Sequence, residues 1–188
     1  IAYLREGSTD FTLENLVTCY QAAKQRFDND PAFKKQAQEA VVALQSGDPE
    51  SKQIWEKICA ISRQAYQAIY DRLDVHLVER GESFYNPLLA PLIAELAQKG
   101  LLENSEGAGC MKLEGFKNRE GEPLPLILEK SDGGYNYATT DMAALRYRVQ
   151  ADKADWLIYV TDAGQSLHFQ MIFEAAKIAG FYDPTQVR

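Results

Sequence analysis

Between two helical patterns in the last third of the chain stands WLIYVT, Trp156 to Thr161, apolar almost throughout. A strand without a polar face is buried on both sides, and such strands belong to parallel sheets covered by helices. The flanking sequence fits that architecture. Tyr135 to Ala138 predicts a strand, Thr140 to Val149 a helix, Trp156 to Thr161 a second strand, and Gln165 to Ala179 a second helix closed by Gly180. This order makes a right-handed parallel unit of the doubly wound kind, whose ligands sit at the carboxyl ends of the strands.

The earlier sequence is of two other kinds. FTLENLVTCYQAAKQRF, Phe11 to Phe27, places Leu13, Leu16, Val17 and Tyr20 on one helical face behind the N-cap candidates Ser8, Thr9 and Asp10. Asn29-Asp30-Pro31 breaks it, a second helix follows from Pro31 to Leu44, and a third runs from Pro49 to Leu73 with Ile54, Ile58, Ile61, Ala65 and Ile69 as its apolar stripe. Residues 1–73 therefore read as a helical insertion or arm. Residues 74–133 read as a connective region: a short strand at Val75 to Val78, a turn at Arg80-Gly81, and an amphipathic helix from about Pro87 that Gly100 stops. Strands at Cys110 to Phe116 and Leu124 to Lys130 come next, with KNREGEP and SDGG as hairpin turns. Residues 134–188 hold the parallel unit. The predicted fold class is α/β: the second half of a doubly wound Rossmann-like nucleotide-binding fold, with a helical insertion and a small antiparallel connective sheet.

Charge and cysteine usage narrow the function. A net charge of -7 argues against a basic face broad enough to hold a phosphate backbone by itself. Cys19, Cys59 and Cys110 are widely spaced, with no CxxC pair and no nearby histidine cluster. That pattern excludes the usual zinc frameworks, implies no bound metal, and suits reduced thiols inside a cell. Neither a membrane-length apolar run nor a signal peptide is visible. The expected location is cytoplasmic, with an organelle as the alternative. The apolar start IAYL and the stop after DPTQVR read as ends cut from something longer.

In the parallel unit, the first strand end carries Tyr137, Thr139, Thr140 and Asp141. The second carries Thr161, Asp162, Ala163, Gly164 and Gln165, with Ser166 and His168 on the next turn. Taken singly, each has an ordinary use: Thr139 or Thr140 as an N-cap, Asp141 as a first-turn partner of the helix dipole, His168 as a packed imidazole. Together a carboxylate, a phenol and a carboxamide at adjacent strand ends form a pocket that wants a cation. A guanidinium meets a carboxylate with a rigid fork of donors and cannot lose its proton, so a free arginine is a natural occupant. A lysine or another amine carries the same charge. Glu82 and Tyr85 in GESFYNP are a second substrate wall or a helix entry, EGAGC lacks the spacing of a phosphate loop, and Arg146 to Arg148 read as a helix C-terminal charge set. No thiol has a visible base, so a cysteine mechanism has no support.

NYATTDMAALRYRV followed by LIYVTDAGQSLHFQMIFEAAKIAGF resembles the catalytic-domain segment of arginyl-tRNA synthetases. GESFYNPLL and EGAGCMKLEGFKNREGEPLPLILEKSDGGYNYATTD are similar to the stretch preceding it there, in the same order. The resemblance runs over roughly 74–188 and more loosely over 4–73. It implies that these segments are parts of one class I catalytic domain, in an arginine–tRNA ligase that uses ATP and Mg2+ to join L-arginine to tRNA(Arg) through an arginyl-adenylate. It further implies that Tyr137 and Asp141 hold the substrate guanidinium, that Gln165 bonds the arginine near its amino end, and that His168 lies near the nucleotide. Gly164 stands where many members have Arg or Gln, so no contact is assigned to it.

The chain also departs from that family. It has neither the HIGH-like nor the KMSKS-like motif, and no residue here is expected to be catalytic. The piece is therefore expected to be inactive alone, with tRNA(Arg) held mainly by domains outside it. The parent is expected to be a monomer, and exposed sheet edges make self-association of the piece an expectation. Two other readings stand beside this one: a non-catalytic amino-acid or nucleotide-binding module, and a helical interaction segment in which the pocket is incidental.

Overall fold

A computed structural model describes residues 1–7 and 12–188, with Gln45 described by its backbone alone, and divides into two compact units, Ile1–Val78 and Glu79–Arg188. The N-cap candidates Ser8, Thr9 and Asp10 lie outside the described residues, as does Phe11.

The first unit is helical: α1 (Ala2–Arg5), α2 (Leu13–Asn29), α3 (Pro31–Gln45) and α4 (Pro49–Arg72). Two Asp-Pro pairs set its corners. Oδ1 of Asp30 accepts from the backbone N–H groups of Ala32 and Phe33 at 3.0 and 3.1 Å, and Oδ2 of Asp48 accepts from that of Ser51 at 2.8 Å. Proline then occupies the first helical position, where no N–H is missed. Arg5 reaches across to Asp48 and Ser51, both at 2.6 Å, and ties α1 to the start of α4. Phe33, Ala2 and Ala40 form one small core, and Leu4 and Ile54 another. The apolar stripes are only partly covered, because Leu13, Val17, Tyr20 and Ile69 remain exposed.

In the second unit a 3-10 turn (Glu82–Tyr85) leads into α5 (Asn86–Gln98). Three short strands follow: β1 (Glu103–Ser105), β2 (Ala108–Met111) and β3 (Leu126–Glu129), antiparallel in that order. Then come α6 (Tyr137–Gln150), a 3-10 turn (Ala163–Gln165) and α7 (Ser166–Ile178). Leu92 and Leu96 of α5, Met111, Leu128, Met142 and Leu145 of α6, and Ile172 of α7 are fully buried in one core. Alanines at 143, 144, 175 and 176 let α6 and α7 share it closely.

Several elements differ from expectation. Val75 to Val78 forms no strand, and Leu77 and Val78 are exposed. Strands β2 and β3 are shorter than predicted, and β2 pairs with the unpredicted β1. The turn between them is EG: Glu106 and Gly107 have φ of +53° and +85°, the left-handed pair of a two-residue hairpin. Beyond Met111 only a bridge at Lys117 and Pro123 continues the pairing.

Tyr135 to Ala138 is not a strand either. The SDGG turn closes locally, with Lys130 N–H donating to Gly134 O at 2.8 Å, and Asn136 then caps α6. Its Oδ1 accepts from Ala138 and Thr139 N–H at 3.0 and 3.3 Å, so the cap is neither Thr139 nor Thr140. Thr139, fully buried, instead donates its hydroxyl to Leu128 O of β3.

Trp156 to Thr161 joins no ladder. Leu157 and Tyr159 turn inward, whereas Trp156, Ile158 and Val160 are 65%, 69% and 92% exposed. Its hydrogen bonding is to the chain end: Leu157 N–H to Arg188 O at 2.7 Å, and Arg188 N–H to Asp155 O at 3.1 Å. Among the described residues the one sheet is antiparallel and the expected parallel pairing is absent, because no strand lies beside this segment.

Candidate functional site

Asn136 fixes where α6 begins, and that places Tyr137 as its first residue and Asp141 one turn later on the same side. Asp141 is thus in the second turn, past the reach expected of a first-turn dipole partner. His168 lies in the first turn of α7, which packs on α6. The two helix starts bring these side chains together. His168 Nε2 is 2.6 Å from Asp141 Oδ2, and the Tyr137 ring meets the imidazole edge-on, 4.9 Å between centroids.

The pair sits at the rim of the core, with side chains 29% exposed for Asp141 and 18% for His168. Tyr137 is 64% exposed. Behind the imidazole an aromatic row continues through Phe169, 5.0 Å away, to Tyr159, another 5.0 Å on. Burial pushes the Tyr159 phenol up in pKa, Arg148 beside it acts in the opposite sense, and the negative charge of Asp141 pushes it up further. The Arg148 guanidinium lies 5.3 Å over the Tyr159 ring. Among the described residues no group meets the hydroxyls of Tyr159 and of the buried Tyr85 in good hydrogen-bond geometry, and the Arg148 guanidinium is the charged group that interacts with both.

Gln165 does not join this cluster. Its Nε2 donates to Asp162 Oδ2 at 2.7 Å, while Asp162 Oδ1 accepts from Gly164 N–H at 2.8 Å. These bonds, that of Gln165 first, hold the Asp162 carboxyl below its usual pKa range. Glu82 is exposed on the 3-10 turn, and Tyr85 packs with Phe84 and Tyr147. Tyr159 and Arg148 were missed as site neighbours. The alternation of inward Leu157 and Tyr159 was hidden because every residue of WLIYV is apolar or aromatic.

What remains is a carboxylate bonded to an imidazole that a phenol meets edge-on, the cluster opening to solvent. It can receive a cation. No group of three or more metal-ligating side chains occurs among the described residues, and burial raises the pKa of the Cys110 thiol, which keeps it protonated and inert. No helix among them is long and apolar enough to cross a membrane.

Comparison with known proteins gives a consistent set of relatives. The family described as tRNA synthetases class I (R), catalytic domain, matches residues 2–188. An arginine–tRNA ligase of Crocosphaera subtropica is 56% identical over 98% of this chain, and one of Protochlamydia amoebophila is 53% identical over all of it. The chain spans 33% of each of these relatives. The solved arginyl-tRNA synthetase of Plasmodium falciparum superposes with a TM-score of 0.78 at 36% identity, over 98% of this chain and 30% of that one.

Proposed function

Since the chain belongs to the arginyl class I tRNA synthetases, through their catalytic domain, we propose that it supplies the arginine-recognition part of an arginine–tRNA ligase. The observation that carries this reading is the half-buried Asp141 carboxylate, bonded to His168, whose ring Tyr137 meets where two helices begin. There it meets the guanidinium of L-arginine, with the phenol of Tyr137 alongside. Gln165, once released from Asp162, turns to the amino end of the same substrate, and the far side of His168 faces the nucleotide.

Recognition places the arginine carboxylate for in-line attack on the α-phosphate of ATP, forming arginyl-adenylate as pyrophosphate leaves; the tRNA(Arg) hydroxyl then takes the arginyl group and AMP leaves. Nothing in this mechanism asks a side chain of this chain to be a nucleophile. Their contribution is orientation and charge complementarity. Mg2+ accompanies ATP and neutralises its phosphates, and no side-chain cluster here is assigned to it. In this reading Trp156 to Thr161 is a strand of a doubly wound sheet completed by the rest of the ligase. Its alternating burial, with Leu157 and Tyr159 inward, supports that role. The isolated chain is then inactive, and tRNA(Arg) binds mainly to other parts of the ligase, in a cytoplasmic enzyme.

Aminoacylation kinetics of the full-length ligase carrying this sequence test the reading. Asp141→Asn keeps the shape and removes the charge, and a charge-assisted bond of about 1.5–3 kcal/mol corresponds to roughly a 10- to 100-fold rise in the KM for arginine. An unchanged arginine KM contradicts it.

A further inference from the structure

We propose that His168 is a positioning residue for the cation site, holding Asp141 so that one carboxylate oxygen is presented to the incoming guanidinium. The inference rests on the arginine pocket proposed above and assigns His168 to the amino acid rather than to the nucleotide.

The geometry carries it in three steps. First, an ionised carboxylate can only accept, so at 2.6 Å from Oδ2 the Nε2 atom bears the hydrogen. One oxygen is thereby committed. Oδ1 accepts no hydrogen bond among the described residues and is the oxygen left for a ligand.

Second, the imidazole is itself held. Tyr137 meets it at 4.9 Å and 67° and Phe169 at 5.0 Å and 72°, so rings from both α6 and α7 pack steeply against it. A held ring fixes the carboxylate it donates to, as an orienting partner fixes a ligating group. Third, the nearby carboxamide is aimed elsewhere, with Gln165 Nε2 donating to Asp162 rather than to Asp141. His168 is therefore the donor that sets Asp141.

Selectivity follows from the same arrangement. A carboxylate locked with one free oxygen suits the directed N–H groups of a planar guanidinium, while an ammonium, a point charge with freely rotating donors, gains less from a fixed acceptor. Without the lock, Asp141 rotates and the difference between the two cations narrows.

The test is aminoacylation by the full-length ligase carrying this sequence, in wild-type, His168→Leu, His168→Ala, His168→Gln and Asp141→Asn forms. Leu keeps bulk and removes the donor; Gln places an N–H near the position of Nε2. The expected result is a roughly tenfold rise in the arginine KM for Leu and Ala, recovery of most of it in Gln, little change in the ATP KM, and stronger inhibition by lysine in the donorless forms. A rise in the ATP KM with the arginine KM unchanged overturns the proposal, and so does a Gln form as impaired as Leu. If Asp141→Asn leaves the arginine KM unchanged, the pocket itself is misassigned, which is a different failure from a silent His168 beside a critical Asp141.

Discussion

His168 Nε2 and Asp141 Oδ2 stand 2.6 Å apart and join residues 27 positions apart in sequence, at the starts of two different helices. That contact turns an acid, an imidazole and a phenol, each with an ordinary structural use, into one cluster with a direction. Its placement depends on features well behind it.

The first of these is Thr139. Its hydroxyl donates to Leu128 O, and it lies within reach of the Asn136 cap, so it fastens α6 to β3 directly beneath the site. Thr139→Val keeps the shape and leaves that buried carbonyl without its partner. Chemical denaturation of the chain should show a loss of about 1–3 kcal/mol. A Thr139→Ser form should lose much less.

The second is Asn136. Asn136→Ala removes the acceptor for two first-turn N–H groups and should cost about 1 kcal/mol, with faster amide exchange at Ala138 and Thr139. Asn136→Asp should be tolerated, since it keeps the acceptor. An Ala form with unchanged exchange would mean that the helix start is set elsewhere.

In the helical unit, acid should act through the two caps. The Phe33 N–H, with help from Arg26, holds the Asp30 carboxyl below its usual range, and Ser51, followed by Arg5, does the same for Asp48. A carboxyl whose pKa is lower folded than unfolded contributes stability above its unfolded value, about 3.9, and that contribution is lost as pH falls through the folded value. Helical circular dichroism followed from neutral pH to acid should therefore fall at higher pH in wild type than in a control whose caps do not titrate. Asp30→Asn with Asp48→Asn provides that control, keeping the cap acceptors and flattening the acid slope. An identical slope in both would remove the caps from the account.

For Trp156 to Thr161 the measurement is hydrogen exchange. The amides of Ile158 and Val160 should exchange far faster in this chain than that of the buried Ile172, and should become protected in the full-length ligase, where neighbouring strands are proposed. Equal protection in both settings would contradict the strand assignment.

Sequence reading recovered what local chemistry decides. The Asp-Pro starts of α3 and α4, and the end of α5 before Gly100, follow from caps and breakers, and the boundaries hold within a residue or two. It failed where neighbours decide. WLIYVT is strand-like in every residue, yet a strand needs a partner and none lies beside it. Tyr135 to Ala138 has strand composition, but Asn136 followed by Thr139 is a reciprocal cap, and the cap prevails. The EG hairpin carries a weak sequence signal, because Glu seldom adopts a left-handed backbone. At the site, Tyr137, Asp141 and His168, expected at two neighbouring helix starts, lie together in space. The bond between Asp141 and His168, and the diversion of Gln165 to Asp162, depend on side-chain rotamers that spacing does not fix.

The central claim is that Asp141 reads the positive charge of arginine. The most direct measurement is calorimetric binding of L-arginine and of citrulline, which has nearly the same shape without the charge, to the full-length ligase in wild-type and Asp141→Asn forms. The account predicts that wild type binds arginine far more tightly than citrulline and that the substitution removes most of that preference. Retention of the full preference by Asp141→Asn would contradict it.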